Sequence, residues 1–205
     1  MSTLIRRILD ICISLPGVTI LSPVFVVIAI AIKLNSRGPV VFKQERVGKN
    51  GRPFIFYKFR TMKTEVDPFG PSPKTGDDQR LTRVGRFLRE YSLDELPQLF
   101  NVLKGDMSII GPRPLYVSQI AEWDENQKKR LLVKPGLTGL AQISGRGELT
   151  REEKLELDVK YVETAGFWLD LKIIVATIVG VFRRKNIYEK KYSQAEYTRG
   201  EEGKK

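Results

Sequence analysis

Two adjacent carboxylates, Asp94 and Glu95, are the residues of this sequence best suited to chemistry. The sequence contains no histidine, which excludes Ser-His and Cys-His nucleophile pairs and every His-based metal site. Nucleophilic and acid-base work therefore falls to carboxylates, Lys, Arg, Tyr or Ser. Pro97 follows the pair and is tolerated only near the start of a helix. We predict a helix that begins at about Asp94, whose backbone donors would favour a phosphate or an ionised carboxylate.

The same segment also has a purely structural interpretation. Aspartate is a favoured N-cap residue, and Ser92 with Glu95 spells a capping box. A capping role for Asp94 is compatible with a chemical one, and the residues alone leave both open.

Two further segments have the composition of phosphate-binding loops. Residues 105–114, GDMSIIGPRP, form a stiff turn that presents Arg113 between two prolines, and rigid placement of a guanidinium suits bidentate binding of phosphate. Arg113 could equally hold its own loop together. Residues 135–147, PGLTGLAQISGRG, are rich in glycine, which lets backbone amides approach an anion. They contain neither a Walker lysine pattern nor GxGxxG, so no specific nucleotide motif is present.

Composition limits the partners and the compartment. The 205 residues include 35 Lys and Arg against 24 Asp and Glu, and the net charge of +11 predicts attraction to nucleic acid, anionic lipid or phosphorylated small molecules. The length favours one compact domain. The single cysteine, Cys12, excludes an internal disulfide and favours a cytosolic location for the folded part.

The N-terminal segment predicts membrane association. Residues 11–32 carry no formal charge and are long enough to span a bilayer, but Pro23 after Ser22 predicts a kink. Basic residues flank the segment on both sides, so the positive-inside rule gives no preference for a crossing, and both ends favour the cytoplasm. We therefore expect a re-entrant helix-break-helix, in which the Ser22 hydroxyl bonds a carbonyl that the proline frees. A straight span remains the alternative. A cleaved signal peptide is disfavoured because the apolar segment here is longer than the apolar core of a typical signal peptide.

The rest of the chain predicts a small, mainly helical α/β (α+β) domain with one β-hairpin. Apolar runs flank Asn50-Gly51, which is a strong hairpin signal. Residues 64–79 predict a long loop, and residues 80–89 predict an amphipathic helix with a basic flank that could lie on a membrane. Further helices are predicted at residues 150–163 and 167–182, the second a core or interfacial helix. The predicted units are a membrane helix over residues 1–35, a catalytic domain over 36–185 and a polar C-terminal tail over 186–205.

Several of these segments, taken in order, resemble the bacterial sugar transferase family, the monotopic phosphoglycosyl transferases. The matching motifs are GPVVFKQERVG at 38–48, FYKFRTM at 56–62, SLDELPQ at 92–98, GPRP at 111–114 and the glycine-rich residues 135–147. The resemblance extends over most of residues 1–185. Because no multi-span region precedes these motifs in the sequence, the chain is similar to the minimal members of the family.

The resemblance implies a transfer of sugar 1-phosphate from a UDP-sugar to undecaprenyl phosphate with release of UMP. Among donors, UDP-N,N'-diacetylbacillosamine is the one that the similarity favours. Asp94 would be the nucleophile and first ligand of Mg²⁺, with Glu95 orienting or activating it. The resemblance also implies that three basic residues bind phosphate: Lys58, Arg60 and Arg113. It implies that Gln142, Gly145 and Arg146 contact the uridine diphosphate part of the donor. Asp170 would be a supporting acid. Asp170 lies in an apolar stretch and could equally form a salt bridge with Lys172 or a nearby arginine. The expected location is the cytoplasmic face of the bacterial inner membrane.

Two other classes of function remain as alternatives. One is a membrane-anchored nucleotide-sugar hydrolase that uses the same carboxylates with water as acceptor. The other is a non-enzymatic basic protein that binds anionic lipid or nucleic acid. We expect no nucleic-acid partner, because a diffuse electrostatic surface needs neither the Asp94-Glu95 pair nor an arginine framed by prolines.

Overall fold

The structure, a computed structural model, describes residues 3–67, 70, 72–183 and 188. Its α-helices and strands confirm the predicted mainly helical α+β domain with an N-terminal apolar helix. The helices are α1 (Thr3–Asn35), α2 (Arg83–Glu90), α3 (Gln98–Lys104), α4 (Glu125–Lys128), α5 (Leu140–Ser144), α6 (Arg151–Thr164) and α7 (Phe167–Arg183). The strands are β1 (Val41–Val47), β2 (Pro53–Phe59), β3 (Ser108–Ile110) and β4 (Gly136–Thr138).

Helix α1 is one continuous helix through both of its prolines. The predicted division at Ser22-Pro23 therefore does not appear as an interruption. Pro23 cannot donate to the carbonyl of Thr19, four residues earlier, but the Ser22 hydroxyl donates to that same oxygen at 2.8 Å. The predicted local compensation is confirmed, and it explains how the helix continues past the proline.

One side of α1 packs on the domain along the whole length of the helix. Towards its N-terminal end, Arg7 donates to the Val102 and Leu103 carbonyls at the end of α3, at 2.5 and 2.6 Å. In its second half, Ile28 and Ile32 are buried in a core cluster with Phe59 and Leu88. The helix is about 50 Å long at ~1.5 Å per residue, and both of its ends contact the same domain.

Strands β1 and β2 form the predicted antiparallel hairpin. Asn50 and Gly51 in its turn both have positive φ, 57° and 76°, which is the conformation that favours an Asn-Gly turn. Phe42 lies opposite Lys58 and Gln44 opposite Phe56, so these four side chains share one face of the hairpin.

A second, parallel pair of strands, β3 and β4, brings the two predicted phosphate loops together. The glycines of these loops serve close packing: a Cβ atom at Gly136 or Gly139 would collide with the backbone of Gly111. Gly136 and Gly139 thus let one loop lie against the other, a packing role that the sequence alone does not predict.

Helices α2 and α6 begin with side-chain caps. Thr82 caps α2 by accepting from the Gly85 amide, and Thr150 with Glu153 forms a reciprocal capping box at α6. Residues 64–79 contain no helix or strand where the structure describes them, as predicted. The predicted tail at 186–205 lies outside the described residues except for Tyr188.

Candidate active site

A cavity of about 370 Å³ lies between the hairpin, the turn that contains Asp94, and helix α6. Residues from every predicted site motif line it: Lys58, Arg60, Asp94, Glu95, Arg113, Gln142 and Arg146. Gly145 and Asp170 are not among its lining residues. The cavity thus collects most of the residues that the sequence singled out, although they are widely separated along the chain.

Asp94 lies in a single 3₁₀ turn, Leu93–Glu95, rather than at the start of an α-helix. Helix α3 begins later, at Gln98, and Ser92 adopts a left-handed conformation with φ 56° and makes no side-chain cap. The predicted helix start at Asp94 and the capping box are therefore wrong. The turn leaves the Asp94 carboxylate buried, at 6% exposure, against the cavity.

No side chain or amide among the described residues donates a hydrogen bond to the Asp94 carboxylate, although the group is buried. Charged groups around it act at longer range: burial and Glu95 raise the pKa of Asp94, while Arg89, Lys58 and Arg146 oppose the rise. A buried carboxylate that accepts no hydrogen bond and faces a cavity can bind a ligand placed in that cavity.

Glu95 has a different environment from its neighbour. Its carboxylate accepts from Arg113 Nη2 at 2.7 Å. Burial disfavours the charged form of Glu95, but Arg113, Arg146 and Lys58 outweigh burial and lower its pKa to about 2. Glu95 is therefore an anion that holds a guanidinium at the cavity wall.

The position of Arg113 is fixed from behind by a buried ion pair. Arg130 donates to the Arg113 carbonyl at 2.6 Å and to Asp158 Oδ2 at 2.7 Å. The Arg130 guanidinium also lies over the Trp123 ring, 4.8 Å from its centroid. These contacts hold the Pro-Arg-Pro turn, so the guanidinium of Arg113 is presented as the sequence predicted.

Cations outnumber carboxylates around Asp94. Lys58 forms no salt bridge within the described part of the chain and lies 5.3 Å from the Phe42 ring centroid. Burial lowers the pKa of Lys58 to about 8, with Arg89 adding to the effect. Arg146, at φ 50°, donates to the Ser92 hydroxyl at 3.2 Å, which joins the glycine-rich loop to the Asp94 turn. The excess positive charge suits a diphosphate.

Arg60 and Asp170 make contacts that differ from their predicted roles. The Arg60 guanidinium donates to the Ser36 carbonyl and hydroxyl, both at 2.9 Å, and to the Arg37 carbonyl, so it fastens the chain that leaves α1. Asp170 accepts from Tyr161 at 2.9 Å and from Arg6 at 3.2 Å. For Asp170, the geometry supports the alternative of a salt bridge with a nearby arginine.

Several lining residues were not identified from the sequence. Arg89 was assigned only to the basic flank of a surface helix, although Gly85, one turn earlier, is buried against the Thr61 backbone and marks the face that approaches the hairpin. Arg151 and Asp158 had no local motif. Their spacing of seven residues on one helix, which places both on the same face, is the signal that could have found them.

Among the described residues, no group of three or more Asp, Glu or Cys side chains could hold a metal ion on its own. Mg²⁺ is commonly bound by one or two carboxylates together with substrate phosphates. Asp94 fits such a site, because its buried carboxylate faces the cavity and accepts no hydrogen bond from the residues that the structure describes. Glu95 fits less well, since Arg113 already occupies one of its oxygens.

The outer surface of α1 and α7 is apolar. Helix α1 is long and apolar enough to cross a membrane, by length and composition. The exposed apolar side chains on its outer side and on α7 include Leu4, Ile8, Leu15, Ile20, Val27, Ile30 and Leu34 in α1 and Phe167, Trp168, Val175 and Ile178 in α7. Apolar surface of this extent marks a membrane or protein contact.

Comparison with known proteins identifies similar sequences over almost the whole chain. The family model described as bacterial sugar transferase matches residues 1–184. An uncharacterized sugar transferase, EpsL, of Bacillus subtilis is 47% identical over 172 residues, which are 84% of this chain and 83% of that protein. The UDP-glucose:undecaprenyl-phosphate glucose-1-phosphate transferase of Escherichia coli K12 is 44% identical over 90% of this chain. The galactosyl transferase CpsE of Streptococcus agalactiae is 43% identical over 84% of it. This chain spans only 42% and 41% of the lengths of the last two proteins.

Proposed function

Because this chain belongs to the bacterial sugar transferase family, we propose that it transfers a sugar 1-phosphate from a UDP-sugar to undecaprenyl phosphate and releases UMP. One observation supports this function most directly: the buried Asp94 carboxylate faces a cavity rich in cations and accepts no hydrogen bond from the described residues. The two substrates of the proposal are taken from relatives whose names state the reaction, with UDP-glucose as donor and undecaprenyl phosphate as acceptor.

In the proposed first step, Asp94 attacks the phosphorus that carries the sugar. A carboxylate oxygen forms a bond to phosphorus, the bond from phosphorus to the bridging oxygen breaks, and UMP leaves with that electron pair. The product is a phosphosugar-aspartyl intermediate. In the second step, an oxygen of the lipid phosphate attacks the same phosphorus and displaces the Asp94 carboxylate, which restores the enzyme.

The surrounding residues serve this displacement by placing positive charge where negative charge accumulates. Lys58, Arg89 and Arg146 lie within electrostatic range of Asp94 and would bind the diphosphate. Glu95 keeps Arg113 in position through the 2.7 Å ion pair. Positioned cations of this kind contribute more in a buried site than they would in water.

We also propose that Asp94 binds Mg²⁺ together with the donor diphosphate. When bound, Mg²⁺ would offset the charge on the diphosphate and on the attacking carboxylate. The burial of Asp94 supports this assignment, as does the lack of a hydrogen-bond donor to its carboxylate within the described ranges of the chain. Chelation of divalent cations should then abolish UMP release, and Mg²⁺ should restore it.

We further propose that α1 is embedded in the cytoplasmic leaflet of the inner membrane without crossing it. Asp10, buried in the first half of α1, accepts from the Ser108 hydroxyl and the Ile109 amide at 2.8 Å, while Asn35 at the other end accepts from the Val84 amide at 3.2 Å. A helix that crosses a hydrocarbon core of ~30 Å would carry its first residues away from the domain. Contacts at both ends support a re-entrant arrangement with the exposed apolar side in lipid.

The donor sugar is a separate part of the proposal. One named relative is a UDP-glucose transferase and another is a galactosyl transferase, while UDP-N,N'-diacetylbacillosamine is the donor that the resemblance favours. A panel of UDP-sugars, incubated with the membrane-bound protein and undecaprenyl phosphate and scored by UMP release, distinguishes them. Turnover of one sugar only would identify the glycan pathway.

The covalent step is tested with the donor alone. The unmodified protein should release up to one UMP per site and gain the mass of a sugar phosphate on Asp94. Asp94→Asn should abolish both while the apparent Tm stays near its original value, because the substitution keeps the shape of the side chain. Continuous UMP release without lipid would identify a hydrolase. A strict need for both substrates before any UMP appears would exclude the covalent mechanism.

The membrane topology is tested by thiol labelling. Single cysteines are placed at residues 3 and 50 in a Cys12→Ser background, and intact spheroplasts are treated with an impermeant reagent. Protection of both sites until permeabilisation is the expected result. Labelling of residue 3 alone before permeabilisation would establish a straight span.

A further inference from the structure

The wall of the cavity formed by α6 contains buried polar atoms that have no hydrogen-bond partner. Arg151 and Asp158 line the cavity and are only 6% and 3% exposed. Within the described part of the chain, Arg151 Nε and Nη2 and Asp158 Oδ1 bind nothing. Buried polar groups are rarely left in this state, because an unmet hydrogen bond in the interior destabilises the fold.

The remaining atoms of both side chains already have partners, which fixes their orientation. Arg151 binds Glu122 through Nη1, and Asp158 binds Arg130 through Oδ2. In each residue, one nitrogen or oxygen of the charged group forms the ion pair, while the unpaired atoms named above have no partner within the described part of the chain. The unpaired atoms are a guanidinium donor pair and a carboxylate acceptor.

Arg151 and Asp158 lie on one face of α6, seven residues or two turns apart, about 10 Å along the helix axis. Lys154, which also lines the cavity, lies between them on the same face. The capping box of Thr150 and Glu153 fixes the start of this helix. Burial raises the pKa of Asp158, while Arg113 lies near enough to oppose the rise, so this wall adjoins the Arg113 side chain.

The chemistry of the unpaired atoms defines the ligand. A phosphate would satisfy Arg151 but would be repelled by the Asp158 carboxylate. A hydroxyl group both donates and accepts, so the hydroxyls of one ring suit both an arginine donor and an aspartate acceptor. A UDP-sugar has two hydroxylated rings, the ribose and the transferred sugar.

We propose that Arg151 and Asp158 form a hydroxyl-binding subsite for a sugar ring of the UDP-sugar donor. This inference rests on the proposed function, because that function supplies the donor. The subsite selects donors by the arrangement of ring hydroxyls, whereas the cations near Asp94 bind the diphosphate that all such donors share.

Binding measurements on the full chain in nanodiscs test the subsite without turnover. In an Asp94→Asn background, calorimetry gives the Kd of UMP, UDP-glucose, UDP-galactose and UDP-N-acetylglucosamine. Arg151→Met removes the donors, and Asp158→Asn removes the charged acceptor while keeping the shape. Glu122→Gln is the matched control, because it weakens the ion pair of Arg151 outside the cavity and leaves the unpaired donors in place.

The expected result is a roughly tenfold rise in Kd for the tightest-bound UDP-sugar in Arg151→Met and in Asp158→Asn. An unchanged Kd for UMP would assign the subsite to the transferred sugar, and a parallel rise for UMP would assign it to the ribose. Kd values within twofold of the original in both variants would overturn the inference. So would an equal loss in Glu122→Gln, since Arg151 would then act only through its ion pair. Absence of UMP release by the unmodified protein, with these Kd changes present, would refute the proposed function and leave the subsite standing.

Discussion

Replacement of Arg130 by methionine should destabilise the protein strongly, although Arg130 lies behind the cavity wall. Its guanidinium donates to Asp158 Oδ2 through Nε at 3.1 Å and Nη2 at 2.7 Å, and both side chains are almost fully buried. Methionine keeps the apolar stem but leaves the Asp158 carboxylate without its partner. Breaking a buried pair in this way costs about 3–5 kcal/mol.

For a chain of this length, each kcal/mol corresponds to about 2–4 °C in Tm, so Arg130→Met should lower the apparent Tm by about 6–20 °C. The matched control is Lys129→Met at the neighbouring position. Lys129 pairs with Glu163 at 2.8 Å, but both side chains are about half exposed. Exposed pairs contribute less than ~1 kcal/mol, so the control should lose less than about 4 °C.

The loss in Arg130→Met should also depend on pH. Burial already raises the pKa of Asp158, and Arg130 is the first group that opposes this rise. Without Arg130, the pKa of Asp158 rises further, and the folded protein takes up a proton that the unfolded chain releases. Stability of the variant then falls as pH increases from the ordinary aspartate range towards the raised pKa, so its Tm deficit should be smaller at acidic pH than at alkaline pH.

A double variant separates the effect of the unpaired Asp158 charge on Tm from the effect of lost packing. In Arg130→Met/Asp158→Asn, the uncompensated carboxylate is gone, and much of the lost Tm should return. The reasoning is refuted if Arg130→Met loses no more Tm than Lys129→Met, or if its deficit is independent of pH.

Three further changes test other contacts. Lys58→Arg should extend UMP release to higher pH, because Lys58 loses its charge as pH rises through its pKa of about 8 while a guanidinium stays charged; coincident pH profiles would contradict this. Glu95→Gln should lower kcat/KM at least about tenfold with little change in Tm, since Arg113 loses its charged partner; unchanged kinetics would show that the pair is dispensable. Asp10→Ala should lower the Tm by at least about 6 °C, because it removes two hydrogen bonds to a buried charge and leaves the Ile109 amide unsatisfied; an unchanged Tm would show that α1 is held without them.

The elements predicted well from the sequence are those whose signals are local. The Asn50-Gly51 turn needs positive φ at two successive residues, and few other dipeptides supply it. The capping box at Thr150 and Glu153 likewise satisfies amides within one turn of its own helix. In α1, the role of Ser22 follows from the position of Pro23, since both the broken bond and its replacement lie within four residues.

Long-range contacts determined the features that were predicted wrongly. Ser92 and Glu95 have the spacing of a capping box, but Glu95 binds Arg113, eighteen residues away, instead of a local amide. A charge-assisted pair is stronger than a neutral cap, so the tertiary contact prevails and the helix starts later. The predicted phosphate role of Arg60 stays a prediction, because its guanidinium donates to backbone carbonyls after α1 while the residue also lines the cavity.

Asp94 and Glu95 acquire different chemistry from their surroundings although they are adjacent and both are acids. The negative charge of Glu95 is balanced by Arg113, and the pKa of Glu95 is lowered to about 2, so Glu95 stays ionised in a structural ion pair. Among the residues that the structure describes, Asp94 receives only longer-range attraction, so its carboxylate forms neither a cap nor a salt bridge with them and faces the cavity. A nucleophile requires that second environment, because a carboxylate already held by a guanidinium must lose that partner before it attacks phosphorus. The proposal that Asp94 is the nucleophile and that Glu95 positions Arg113 is therefore supported by contacts that the order of residues in the sequence does not contain.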